Sequence, residues 1–159
     1  MDVTQSFEGL EKEVRESFGD DIVALRREIH KEPELGFDTE KTAEKVLAAL
    51  DGLPLEIQTG VAENGIVATL KGEGEGPTVA LRADMDALPI HEETGLPFAS
   101  NTEGKMHACG HDGHTAMLLG VARLLAERRA EVRGEIRFIF QHAEELFPGG
   151  AQELVDLDD

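Results

Sequence analysis

Cysteine is nearly absent from the 159-residue chain: Cys109 stands alone. One thiol excludes an internal disulfide, and a domain this long buries ~70% of its unfolded surface without such staples. A lone thiol also suits a reducing compartment, so a cytoplasmic location is expected. Long apolar runs are missing too. Nothing approaches the ~20 residues of a membrane span, and the stretch MDVTQSFEGLEKEVRESFGDD lacks the basic start and apolar core of a secretory signal. Basic residues are few: 15 Lys and Arg stand against 33 Asp and Glu, a formal charge of −18. Nucleic acid and anionic membrane would be repelled, so neither is expected as a partner. Disorder is excluded as well, since 40% of residues are hydrophobic. Only six of the bases are lysine. An acid-rich, lysine-poor surface matches halophilic proteins, and it predicts a higher unfolding midpoint in molar potassium chloride than in dilute buffer. Equal midpoints would remove that reading.

No internal repeat, low-complexity segment or glycine-rich phosphate loop occurs. What is present reads as alternating helix and strand. Ile22, Val23, Leu25 and Ile29 are spaced for a helix that Pro33 closes, and Val46, Leu47 and Leu50 form the stripe of a second, with Asp38 as its N-cap. LEIQTGV and NGIVATLKG read as short strands, TVALRAD as a buried strand and GEIRFIFQ as another. Between the last two lies a long helix, with Met117, Leu118, Val121, Leu124 and Leu125 on one core-facing side. Strand, helix, strand in that order predicts a parallel pair joined by a crossover, hence an α/β fold. A last helix begins at GGAQELV and runs into Asp156, Asp158 and Asp159, at the helix end that normally favours cations.

Ligands of α/β sheets gather outside the carboxyl ends of the strands. Three polar clusters fall there: RADMDALP, HACGHDGH and QHAEE. Cys109 and His111, one glycine apart, are donors suited to a first-row dication. A structural zinc site would want four Cys or His ligands in paired spacing. A cysteine nucleophile with a histidine base is a rival, although nearby acids would raise the thiol pKa. A plain polar loop is the third reading. Glu144 and Glu145 could divide labour beside a metal, one binding it and the other moving a proton. Asp84 and Asp86 alternate, so both point to one side of an extended segment. Among the histidines, His30 reads as a helix C-cap and His91 as a loop residue. His107 and His142 read as supports for the ligands or as surface residues, and His114, one turn after His111, as the better support.

From LRREIHKEPELGF through LRADMDALPIHEETGLPFAS and GKMHACGHDGHTAMLLGVARLL to FQHAEELFPGGAQELV, the chain resembles the dinuclear metal amidohydrolases. These include hippurate hydrolase, N-acyl-amino-acid amidohydrolases and plant auxin-conjugate hydrolases. The resemblance implies a three-layer α/β catalytic domain of the zinc-exopeptidase kind, with residues 20–159 as its N-terminal part behind an acidic leader, 1–19. It implies two divalent ions, zinc or manganese, and hydrolysis of a small N-acyl amino acid. Cys109, His111 and Glu145 match the family's metal ligands, Glu144 its general base and Asp86 the aspartate that orients a ligand. Asp84 stands where carboxypeptidase relatives have a ligand histidine and is left unassigned. The family draws two further histidine ligands and a dimerisation domain from sequence beyond residue 159. That implies weak or no activity for this chain as it stands, with a metal-binding, non-catalytic remnant as the alternative.

Overall fold

The computed structural model describes residues 3–156. Helix α1 (Val3–Lys31) is followed by α2 (Glu40–Leu50), strands β1 (Glu56–Val61), β2 (Gly65–Lys71) and β3 (Thr78–Asp84), then α3 (His111–Glu127), β4 (Glu135–Gln141) and α4 (Gly150–Asp156). The sheet order is β1-β2-β4-β3. The β1–β2 and β2–β4 pairs are antiparallel, while β3 and β4 are parallel and joined through α3, as the strand–helix–strand pattern predicts. The register sets Asp84 beside Gln141. Both strands therefore end at one place, level with the start of α3.

One face of the sheet forms the core. Ile66, Ala68 and Leu70 of β2 and Phe138 and Phe140 of β4 point the same way by the period-two rule. They pack against Val46 and Leu50 of α2 and Leu118, Leu119 and Ala122 of α3. Burying each large apolar side chain contributes roughly 1.5–3 kcal/mol, so this ridge helps hold α3 to the sheet, alongside its packing on β3 and α1. α1 packs outside α3. No described helix is long and apolar enough to cross a membrane.

Several local expectations differ from what is found. TVALRAD is an edge strand, with Val79 46% exposed; an apolar run looks the same whether it pairs on one side or two. Met117 and Val121 also lie on the surface. Leu118, Leu119 and Ala122 take the core-facing side of α3, while Met117 and Val121 line a groove beside Phe18 and Ile22 of α1. Val23 is exposed on α1, which runs unbroken through the expected boundary at residue 20. The α2 cap is not Asp38. The Glu34 carboxylate reaches over instead, accepting from the Lys41 and Thr42 amides and the Thr42 hydroxyl. α4 forms where GGAQELV predicts it, while Asp158 and Asp159 lie outside the described residues.

Residues 34–37 act as a strap beneath the strand ends. The Ala87 amide donates to the Glu34 carbonyl at 2.8 Å and the Ala143 amide to the Gly36 carbonyl at 3.0 Å. Gly36 has φ +56°, and a Cβ there would lie 2.1 Å from Leu146 Cδ1. The positive φ is what favours glycine here, since the half-exposed Leu146 side chain can give way. The strap thus ties the segment after β3 to the segment after β4.

Candidate metal centre

The three clusters predicted from the sequence meet at the carboxyl ends of β3 and β4. Gly110, left-handed at φ 86°, turns the chain between Cys109 and His111, the first residue of α3. Positive φ at Ala143 (51°) bends the chain after β4 and brings Glu144 and Glu145 back over the same spot. Cys109, His111 and Glu145 each offer a donor atom, and these three atoms lie within 4.8 Å of one another. Glu144 Oε2 lies 3.8 Å from His111 Nε2, the same separation as Glu145 Oε1.

Asp86 organises this cluster. It is fully buried, and its Oδ1 and Oδ2 accept the backbone amides of Glu144 and Glu145 at 3.1 and 3.0 Å. Its own carbonyl accepts His111 Nδ1 at 2.8 Å. That bond keeps a proton on Nδ1, so Nε2 is the nitrogen that can take a cation once it has lost its own proton. Burial disfavours the charged Asp86 carboxylate, but hydrogen bonds from His111 and the two amides outweigh it and hold the pKa below the ordinary value.

The electrostatics fit a missing positive charge. Burial pushes the His111 pKa down, yet the Asp86 hydrogen bond and the Asp84 charge overcome this and raise it to about 9. Cys109 is pushed up to about 11 by a hydrogen bond to Glu145, by desolvation and by the charges of Glu145, Glu144 and Asp84. Such a thiol is a poor nucleophile, which weakens the cysteine-enzyme reading. Glu145 Oε1 is buried and lacks a hydrogen-bond partner among the described residues. An orphan carboxylate oxygen beside a thiol and an imidazole is a donor set that could hold a dication.

A second group, Asp84, His111 and His114, also clusters within 4.8 Å. It is already satisfied: Asp84 Oδ1 bonds His114 Nδ1 at 2.7 Å, and Arg82 Nη1 stands 3.2 Å from Oδ2. His114 thus bonds to Asp84, the aspartate that the sequence left without a role. The alternation of Asp84 with Asp86 was the available signal. His107 and His142 are buried, not surface residues, and neither ring nitrogen of either has a hydrogen-bond partner among the described residues. Burial lowers the His107 pKa to about 4. His91 is an exposed loop residue, as expected. His30 is not a helix cap; it is buried against Asp112 and Glu92.

Parallel strand ends that collect a thiol, an imidazole and paired carboxylates form a candidate divalent-metal site in an α/β fold. The chain belongs to the peptidase family M20/M25/M40, whose model matches residues 80–159. It is 54% identical over 135 residues to an N-acyl-L-amino acid amidohydrolase of Geobacillus stearothermophilus, covering 85% of this chain and 36% of that protein. An N-acetylcysteine deacetylase of Bacillus subtilis is 48% identical over 134 residues, covering 84% and 35%. The crystal structure of a dinuclear metal-binding M20 peptidase of Bacillus subtilis superposes with a TM-score of 0.85 at 45% identity, covering 90% of this chain and 40% of that one. The chain therefore spans less than half the length of these relatives.

Proposed function

We propose that Cys109, His111 and Glu145 hold divalent metal and that the chain forms part of an enzyme hydrolysing the amide bond of N-acyl amino acids. The observation that carries this reading is the meeting of three donors from sequence-distant segments around an orphan carboxylate oxygen. Two dications, zinc or manganese, would fit the mixed sulfur, nitrogen and oxygen set. When bound, they acidify a water to a pKa of about 7 and stabilise the oxyanion of the attacked carbonyl. The side chains do the rest. Glu144, 41% exposed and facing the same imidazole nitrogen, takes the proton from water and passes it to the leaving nitrogen. Asp86 holds both glutamate backbones and His111 in register, so that proton transfer and metal binding share one frame.

Two measurements test the reading together. Calorimetric titration with zinc or manganese is expected to show binding that Cys109→Ser weakens. Hydrolysis of hippurate is expected to stop on chelation, return with metal and survive thiol alkylation when metal is bound. Activity indifferent to chelators but abolished by alkylation of the metal-free protein would instead favour a cysteine enzyme. Metal bound without any hydrolysis would favour the metal-binding, non-catalytic reading of the chain as it stands.

A further inference from the structure

We infer that His30 is a positioning residue for the metal ligands: wedged between Asp112 and Glu92, it fixes the first turn of α3 and so the aim of His111. The inference rests on the metal reading above and deepens it. His30 lies at the far end of the first helix, 82 positions before Asp112, yet its Nδ1 is 2.7 Å from Asp112 Oδ2. Its Nε2 is 3.2 Å from Glu92 Oε1. The ring is 3% exposed, and both nitrogens are committed to carboxylates.

Asp112 is fully buried and also receives Arg26 Nε at 2.6 Å. A buried carboxylate that loses one of its cation or N–H partners is strongly destabilised, so its position follows that of its partners. Phe98 closes the assembly. His30 meets its ring edge-on at 5.5 Å, and the Arg26 and Arg27 guanidinium groups lie over it at 5.2 and 5.0 Å. Glu92 is held in turn by the Ser100 amide and the Thr94 hydroxyl.

Helix geometry carries this anchor to the metal centre. Asp112 and His111 are adjacent in the first turn of α3, roughly 100° apart around its axis and about 1.5 Å apart along it. Asp112 faces α1 while His111 faces the strand ends. The start of α3 has no side-chain cap, because Gly110 occupies that position. Rotation of the start of α3 is therefore opposed on two sides: at the strand ends by His111 on the Asp86 carbonyl and by His114 and Thr115 on Asp84, and toward α1 by Asp112 on His30 and Arg26. Releasing the second lets the imidazole swing away from Cys109 and Glu145.

Zinc titration of the unaltered protein and four His30 or Glu92 variants tests the clamp, with thermal unfolding recorded for each. His30→Ala is expected to weaken zinc binding about 10–100-fold, the usual range for partners that orient a ligand. His30→Asn puts an amide N–H where Nδ1 stood and is expected to recover most of that loss. His30→Gln reaches the Nε2 position and Glu92 only, so it should stay weak. Glu92→Gln keeps the Asp112 contact and should change affinity less than about twofold. Cobalt substitution adds a spectroscopic readout: the thiolate band is expected to weaken in His30→Ala and return in His30→Asn.

Zinc binding by His30→Ala as tight as that of the unaltered protein would overturn the clamp. So would His30→Asn and His30→Gln behaving alike, a comparison that serves even if the alanine variant does not fold. No zinc binding by the unaltered protein would overturn the metal reading as well.

Discussion

Replacing Glu144 by glutamine is expected to leave metal binding intact and to lower hydrolysis of an N-acyl amino acid about 10²–10⁴-fold. The change is isosteric, and the backbone at 144 is held by its amide bond to Asp86 Oδ1, not by the side chain. Geometry therefore survives while proton transfer does not, since an amide cannot accept the proton that a carboxylate takes from water. The loss corresponds to about 3–5 kcal/mol of transition-state stabilisation. Glu145→Gln makes the contrast, because there the carboxylate is a proposed ligand and metal affinity should fall with the rate. Steady-state rates on hippurate, with metal content measured on the same samples, separate the two. A Glu144→Gln protein as fast as its parent would remove Glu144 from the proton path.

Zinc affinity is expected to climb steeply with pH. The proposed donors must shed protons before they can bind, His111 from a pKa of about 9 and Cys109 from about 11. Both pKa values are raised, so the protonated forms compete with the ion at lower pH. Below about 9 two protons leave for each ion bound, and affinity should rise about a hundredfold per pH unit. Between 9 and 11 only the thiol still carries its proton, and the slope should halve on a logarithmic scale. Calorimetry in buffers of different ionisation enthalpy counts the released protons directly. A flat profile across neutral pH would mean that the ion sits on groups other than these two.

The parts of the fold readable in advance were those with strong periodicity. β3, α3 and β4 were legible because a parallel crossover has a distinctive order and because Phe138 and Phe140 alternate cleanly. The same order located the site, since it placed three polar clusters at strand ends. Burial was harder to read. Val79, Met117 and Val121 are apolar and surface-exposed, and no local pattern separates an edge strand or a helix flank from the core. His30 was misread for a related reason. Its chemistry at a helix end fits capping, and its true partners, Asp112 and Glu92, come from distant segments that only tertiary packing brings near. Asp86 was legible as an aspartate facing the site. That it would hold both glutamates by their main chain was not, because no spacing rule links residue 86 to the amides of 144 and 145.

That main-chain grip separates the scaffold from the chemistry it carries. The bend that presents positions 144 and 145 is held by their peptide nitrogens, which every amino acid but proline supplies. Either side chain can then be exchanged by mutation with its station left in place.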